Sequence, residues 1–449
     1  MATHPNLRGW PLRLSALLSV LLLAGTVWLA SPGSAQATQD HPLADWLGGQ
    51  AKPLDTTDPA APPTDLRPLR RMVGDAVVVG LGESTHGSHE QFTLKHRIVR
   101  LLVEQLGFRS LAMEEDWATG IQLNRYLLTG HGDPAELVKG MGMPWSTREV
   151  QAVLEWLRAW NTRHPDKVQF VGTDVFDTHP SVYDEVSRYV QQTALQRLAE
   201  LEGHFQVIRP TRPDWVAFFL TQVPDQQRYL EHARQAYQLV AAIRPAAGDH
   251  AHQLALQHAR QIVAFYEYYT LGDPNYRDRE IAHNLDWWHR YTGDKVVYWA
   301  ANVHTANAPR LTATLPPDVL EFKAAGAYLR ERYGSRYRSI GMTFDHGAVN
   351  SGWGAPPFTP MPFQVPPPPD GFTERPLGDV DLPQYLLDLR TPAPPAVRSW
   401  LHAPAKIRVT GATYDPSNHA AHYMTGGSLA QWFDLIVHRQ AVTPSQLVL

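Results

Sequence analysis

Ala76-Val-Val-Val-Gly-Leu-Gly-Glu-Ser-Thr-His-Gly-Ser-His-Glu90 is the stretch on which the fold turns. Its first six residues form a continuous apolar, β-branched run, the pattern of a parallel strand buried on both faces. A polar turn follows. Beyond it Leu94, Ile98, Leu101, Leu102 and Leu106 recur at helical spacing. Strand, polar turn and amphipathic helix make the opening of a parallel-sheet unit.

Working outward, Ser110-Leu-Ala-Met113 and Val168-Gln-Phe-Val171 read as further strands, and Lys295-Val-Val-Tyr-Trp-Ala300 as another. Arg338-Ser-Ile-Gly-Met-Thr-Phe344 and Asp434-Leu-Ile-Val437 close the sheet. Residues 181–290 carry almost no strand signal and predict a helical insertion. Residues 356–369 hold eight prolines in fourteen positions, which predicts an extended surface loop outside the core. The expected fold is α/β: a three-layer α/β/α arrangement with a mostly parallel sheet and a helical insertion, spanning 67–449 after a polar leader at 38–66 that holds one helix.

The start of the chain has another character. Arg8 and Arg13 precede an apolar run, Leu14 to Ala30, and Ala35-Gln36-Ala37 then offers a small-residue cleavage site. This pattern predicts a signal peptide over 1–37 rather than an uncleaved anchor, and an exported protein, periplasmic or secreted, with no membrane contact after cleavage. The chain has 449 residues, and 40 Lys+Arg stand against 44 Asp+Glu with no basic run longer than two, which argues against nucleic acid as a partner. Cysteine is absent, so thiol nucleophiles, disulfides, thiolate metal sites and Fe–S clusters are excluded.

Ligands of open parallel sheets bind beyond the carboxyl ends of the strands. Four predicted strands in succession end there in a carboxylate or an imidazole: Glu83 and His86 after the first, Glu114 after the second, Asp174 after the third, and Asn302 with His304 after the fourth. These residues predict a shared polar site. A histidine held by a carboxylate can take a proton from water, as a metal-independent hydrolase requires. Glu90 shares a helix face with His86 if the helix has begun by residue 86. No Gly-x-Ser-x-Gly elbow, P-loop or Gly-x-Gly-x-x-Gly occurs, so no nucleotide cofactor is indicated.

Two other readings fit the same residues. His86, His89, Glu90, Glu114 and His304 have the chemistry of a His/carboxylate metal site in a hydrolase or peptidase, although without a recognised ligand spacing. A non-catalytic exported protein binding haem or another bulky hydrophobic ligand is compatible with 14 Trp and 21 His.

Taken together, Gly82-Glu-Ser-Thr-His-Gly87, Leu102-Val-Glu-Gln-Leu-Gly-Phe108 leading to Ala112-Met-Glu114, Phe170-Val-Gly-Thr-Asp174, Arg277-Asp-Arg279, Trp299-Ala-Ala-Asn-Val-His304 and Phe433-Asp434 resemble the erythromycin esterase family, over about residues 67 to 440. The resemblance implies hydrolysis of a macrolide lactone by a metal-independent enzyme without cofactor, acting on a small-molecule ester or lactone. It implies His86 as general base, Glu83 and Glu114 orienting it, and His304 lining the same cleft. Lys95 stands where resistance members carry arginine, with Arg97 close by, and Ala301 replaces the first histidine of a His-Asn-x-His element. Asn302, Asp174, Arg97 and Glu90 are the expected substrate-binding residues. Arg277, Asp278 and Arg279 also read as a surface ion-pair cluster.

Overall fold

In a computed structural model describing residues 42–245, 248–352 and 359–448, the apolar run at 76–81 supplies an interior strand of a nine-stranded sheet. The strands of the chain are β1 (Lys52–Pro53), β2 (Val78–Leu81), β3 (Phe108–Asp116), β4 (Gln169–Asp174), β5 (Lys295–Trp299), β6 (Leu311–Leu315), β7 (Asp318–Phe322), β8 (Tyr337–Ser351), β9 (Met361–Val365), β10 (Gln384–Asp388), β11 (Ile407–Arg408), β12 (Tyr423–Thr425) and β13 (Leu435–Val442). The main sheet runs β1-β10-β13-β8-β2-β5-β3-β4, with β9 paired to β8. From β13 to β4 every pairing is parallel; β1, β10 and β9 join antiparallel. The mixed α/β architecture with a mostly parallel sheet is the one expected.

Strand periodicity divides the interior in two. Successive side chains of a strand point to opposite faces. Val78, Val296 and Tyr298 therefore enter one core, and Val79, Leu81, Val297 and Trp299 the other. The second core is closed by the helices His89–Leu106, through Phe92 and Ile98, and Arg148–Arg163, through Val153 and Leu157. The first is closed by the helical insertion: Pro180–Thr193 brings Val186, His250–Leu271 brings Ile262 and Phe265, and Tyr276–Thr292 brings Leu285. The insertion is thus a layer of the main body. Each such side chain, fully buried, contributes roughly 1.5–3 kcal/mol relative to exposure.

Three features depart from the sequence reading. A second sheet, β11-β12-β6-β7, is built from short antiparallel strands that carry no long apolar run. The leader adds an edge strand, β1, after its helix Pro42–Gln50. Part of the Pro-rich stretch is not loop: β9 pairs with β8, and Val365 is buried beside Phe344 and Tyr414. Pro362 is accommodated because β9 has only one neighbour, so a missing N–H can face away from the ladder. The segment expected from sequence to be a signal peptide, 1–37, the first residues of the leader and positions 356–358 lie outside the described residues.

Candidate active site

The carboxyl ends of β2, β3, β4 and β5 are neighbours in the sheet, so the residues that follow them converge. After β2 the chain passes through Gly82 and Gly87, where close approach forbids a side chain: a Cβ on Gly82 would overlap Asn302 Oδ1, and one on Gly87 the carbonyl of Asn350. The helix then begins at His89, capped by Ser88, whose hydroxyl accepts from Gln91 N at 3.2 Å. His86 precedes the helix and stays in the turn.

His86 Nδ1 lies 3.0 Å from Glu83 Oε1. Because a carboxylate only accepts, this contact assigns the proton to Nδ1 and leaves the Nε2 lone pair free. His86 is 8% exposed, and its ring makes a T-shaped contact with Trp145, centroids 4.9 Å apart. Burial holds His86 below its ordinary value, aided by the charges of His304 and Arg277 and opposed by Glu114, so it is neutral at neutral pH. Lys95, wholly buried, ion-pairs with the other oxygen of Glu83 and donates to Ala300 O at 3.1 Å. Burial pulls its ammonium well below the usual lysine value, against the attraction of Glu114. Lys95 thus reaches from the helix His89–Leu106 into the site.

Glu114, at the end of β3, is the hub of the opposite side. Its Oε2 accepts from Ala301 N at 2.8 Å, and its Oε1 meets Arg277 Nη2 at 3.1 Å and His304 Nε2 at 3.2 Å. His304 Nδ1 meets Asp278 Oδ1 at 2.9 Å, and that oxygen also accepts from Ala325 N at 2.8 Å. Both nitrogens of His304 face carboxylates, so both must donate. Burial works against its charge, but Asp278 and Glu114 outweigh it and raise the pKa to about 10. Glu114 is driven well below its usual value; burial opposes this, and His304, His86 and Arg277 prevail.

Arg277 and Asp278, on the first turn of the helix Tyr276–Thr292, were not singled out as site residues by sequence, although Arg277-Asp-Arg279 belongs to the resembling pattern. Only Arg279 behaves as a surface ion pair, with Asp273. Asp174 receives Arg277 Nε at 2.9 and 3.0 Å, and so positions the guanidinium against Glu114.

Three expected substrate-binding residues are engaged elsewhere. Arg97 is buried away from this cluster, bonded to Asp65 and to the carbonyls of Thr56 and Pro62, because its helix turns it toward the leader. Asn302 clips β8 to the site through Met342, accepting from its N–H at 3.2 Å and donating to its carbonyl at 2.8 Å. Glu90 does not share a face with His86, since the helix begins three residues too late; it accepts from Thr443 instead.

Among the described residues, Glu83, His86 and Glu114 offer ligand atoms within 4.8 Å of one another. Their chemistry does not fit a resident metal. The oxygens of Glu83 are engaged by His86 and Lys95, those of Glu114 by Ala301, Arg277 and His304, and three cationic side chains crowd the position. A cavity of about 270 Å³ opens beside His86, walled by Met143, Pro144, Asn350, Leu447 and Val448.

A family model described as "Erythromycin esterase" matches residues 103–442. The chain is 31% identical over 131 residues to erythromycin esterase type II of Escherichia coli, covering 29% of this chain and 31% of that protein, so the match spans less than a third of its relative. A crystal structure of a Bacillus cereus protein superposes with a TM-score of 0.79 at 30% identity, over 90% of this chain and 98% of that one. An erythromycin esterase mutant, EreC, in its open conformation shares the fold with a TM-score of 0.67 at 17% identity, over 87% and 97%. The fold, the polar cluster at the sheet edge and the match over 103–442 lead to one conclusion: the chain belongs to the erythromycin esterase family, whose members are hydrolases acting on esters.

Proposed function

We propose that the protein hydrolyses a carboxylic ester or lactone by metal-independent activation of water at His86. The observation that carries this reading is a neutral imidazole, oriented by Glu83 and opening on a cavity, with Glu114 and the cations it holds, Arg277 and His304, clustered beside it. Nε2 of His86 takes a proton from water as the oxygen attacks the carbonyl carbon. The resulting oxyanion is stabilised by the Arg277 guanidinium and the His304 imidazolium, fixed in place before the substrate arrives. On collapse the carbon–oxygen bond of the leaving group breaks, and His86 returns its proton to that oxygen. The products are an acid and an alcohol, or a hydroxy acid from a lactone.

Asp278 is a positioning residue: it keeps His304 charged and oriented. Lys95 performs the same service for Glu83 with a single donor, where an arginine would use a planar fork. The family makes a macrolide lactone the first substrate to try, and the signal-like sequence at 1–37 supports an activity outside the cytoplasm. The test is incubation of the protein with erythromycin and with simple esters and lactones, following water addition by mass spectrometry. Hydrolysis lost in His86→Ala and retained with a chelator supports the reading. Hydrolysis abolished by the chelator and restored by a divalent metal overturns it.

A further inference from the structure

After β13 the chain turns back along the catalytic turn as an extended segment, residues 443–448, and this segment is tied from both sides. Thr443 donates its N–H and its hydroxyl to the two oxygens of Glu90 at 2.7 and 2.9 Å. Gln446 N donates to both oxygens of Glu149 at 3.0 and 3.1 Å. Ser445 N donates to Gly87 O at 2.9 Å, one residue past His86, and Val448 N to Ser146 O at 3.0 Å, one residue past Trp145. Both carboxylates are buried, and each uses its oxygens on this segment; such charge-assisted bonds are the strong kind. His89 Nδ1 holds Glu149 from behind at 2.6 Å.

These ties fix where the side chains go. Val448 packs against the core that includes Phe92 and Trp145. Leu447, half-buried, faces the cavity that His86 opens on, with Met143 and Pro144 beside it. That cavity, about 270 Å³, is small beside the roughly 300–1,000 Å³ of sites for drug-sized ligands.

We propose that residues 443–448 are the substrate-selecting wall of the cleft, with Leu447 setting the size of the acyl group admitted next to His86. The site then takes esters or lactones whose acid portion is compact and apolar, so that of the substrates named above the simple esters and lactones rank ahead of a macrolide. This rests on the hydrolase reading above. It also gives Glu90 and Glu149 a role, as anchors of the wall and not as groups that meet substrate.

The test uses the full chain and its Leu447→Ala and Leu447→Trp variants, with melting temperatures recorded to establish that each is folded. Two quantities are read: the ratio of kcat/KM for p-nitrophenyl decanoate to that for the acetate, and the calorimetric affinity of alkyl trifluoromethyl ketones of increasing chain length. Opening the wall raises the ratio by about tenfold and closing it lowers the ratio by about as much, the scale set by a few methylenes in an apolar pocket. Ketone affinities shift in the same order. If both variants leave the ratio and the ketone preference within about twofold of the native protein, the wall proposal is overturned. If the native protein turns over no ester but ketone length preference still moves with Leu447, the wall stands and the hydrolase reading fails.

Discussion

An imidazole enclosed between a carboxylate and a tryptophan edge has one nitrogen committed and one available, and at His86 this follows from the strand-to-turn geometry after β2. Removing it in His86→Ala is expected to lower kcat by roughly 10²–10⁴-fold, the usual contribution of a positioned base, with the fold intact by circular dichroism. Lys95 supplies the charge that buried Glu83 needs. Lys95→Met leaves that carboxylate without its cation, held only by the His86 N–H, and should destabilise the protein by about 3–5 kcal/mol in denaturant titration. His304 links the site to alkaline stability. Its folded pKa, about 10, is raised above the 6.5 of a free imidazole, so its stabilisation is complete below pH 6.5 and is lost as pH rises through about 10. The native protein should therefore lose melting temperature between pH 7 and 10.5, and Asp278→Asn should shrink that loss. Equal pH dependence in both would contradict the assignment. Glu83, His86, Glu114 and His304 were legible in the sequence because each follows the carboxyl end of an apolar strand. Arg277 and Asp278 were not, because they begin a helix whose return to the sheet edge is a tertiary event with no local signal.

At the scale of elements, the helix His89–Leu106 explains most of what sequence alone misplaced. Its periodicity was plain, but its first residue was not; Ser88, not an earlier residue, is the cap, so His86 stays in the turn and Glu90 meets Thr443, while Arg97, two residues from Lys95, lies on the opposite face toward the leader. Ser88→Ala should cost about 1 kcal/mol of stability, seen as a lower denaturant midpoint. Asn302 joins β8 to the loop after β5 through two hydrogen bonds to Met342. Asn302→Ala leaves those backbone groups buried and unpaired, and is expected to cost about 1–3 kcal/mol while KM stays unchanged. A large rise in KM without loss of stability would instead make Asn302 a substrate ligand. The long, buried parallel strands announced themselves through apolar runs. The short strands β6, β7, β11 and β12 did not, since two to five residues of alternating character cannot be told from loop without their partners.

For the molecule as a whole, the sheet ties the cores on its two faces together residue by residue, Val78 facing one side and Val79 the other, as Ile436 and Val437 do further along. Unfolding of either helical layer strips a face from the same strands, so far-UV circular dichroism and tryptophan fluorescence should report coincident transitions; two separated transitions would show that the helical layer of 180–292 folds apart from the sheet. The same architecture delivers the chemistry, because only adjacent parallel strands bring Glu83, Glu114 and Asp174 together with the residues after β5. On the function proposed above, a neutral His86 and not a metal activates water. The measurement that tests it most directly is the pH profile of kcat/KM for an ester or lactone that the protein cleaves, recorded with chelator present. Burial sets His86 below the ordinary 6.5, so activity should be full at neutral pH and fall tenfold per pH unit only once pH drops below that depressed value. Activity that vanishes with chelator, or an acid limb unchanged in His86→Ala, would contradict it.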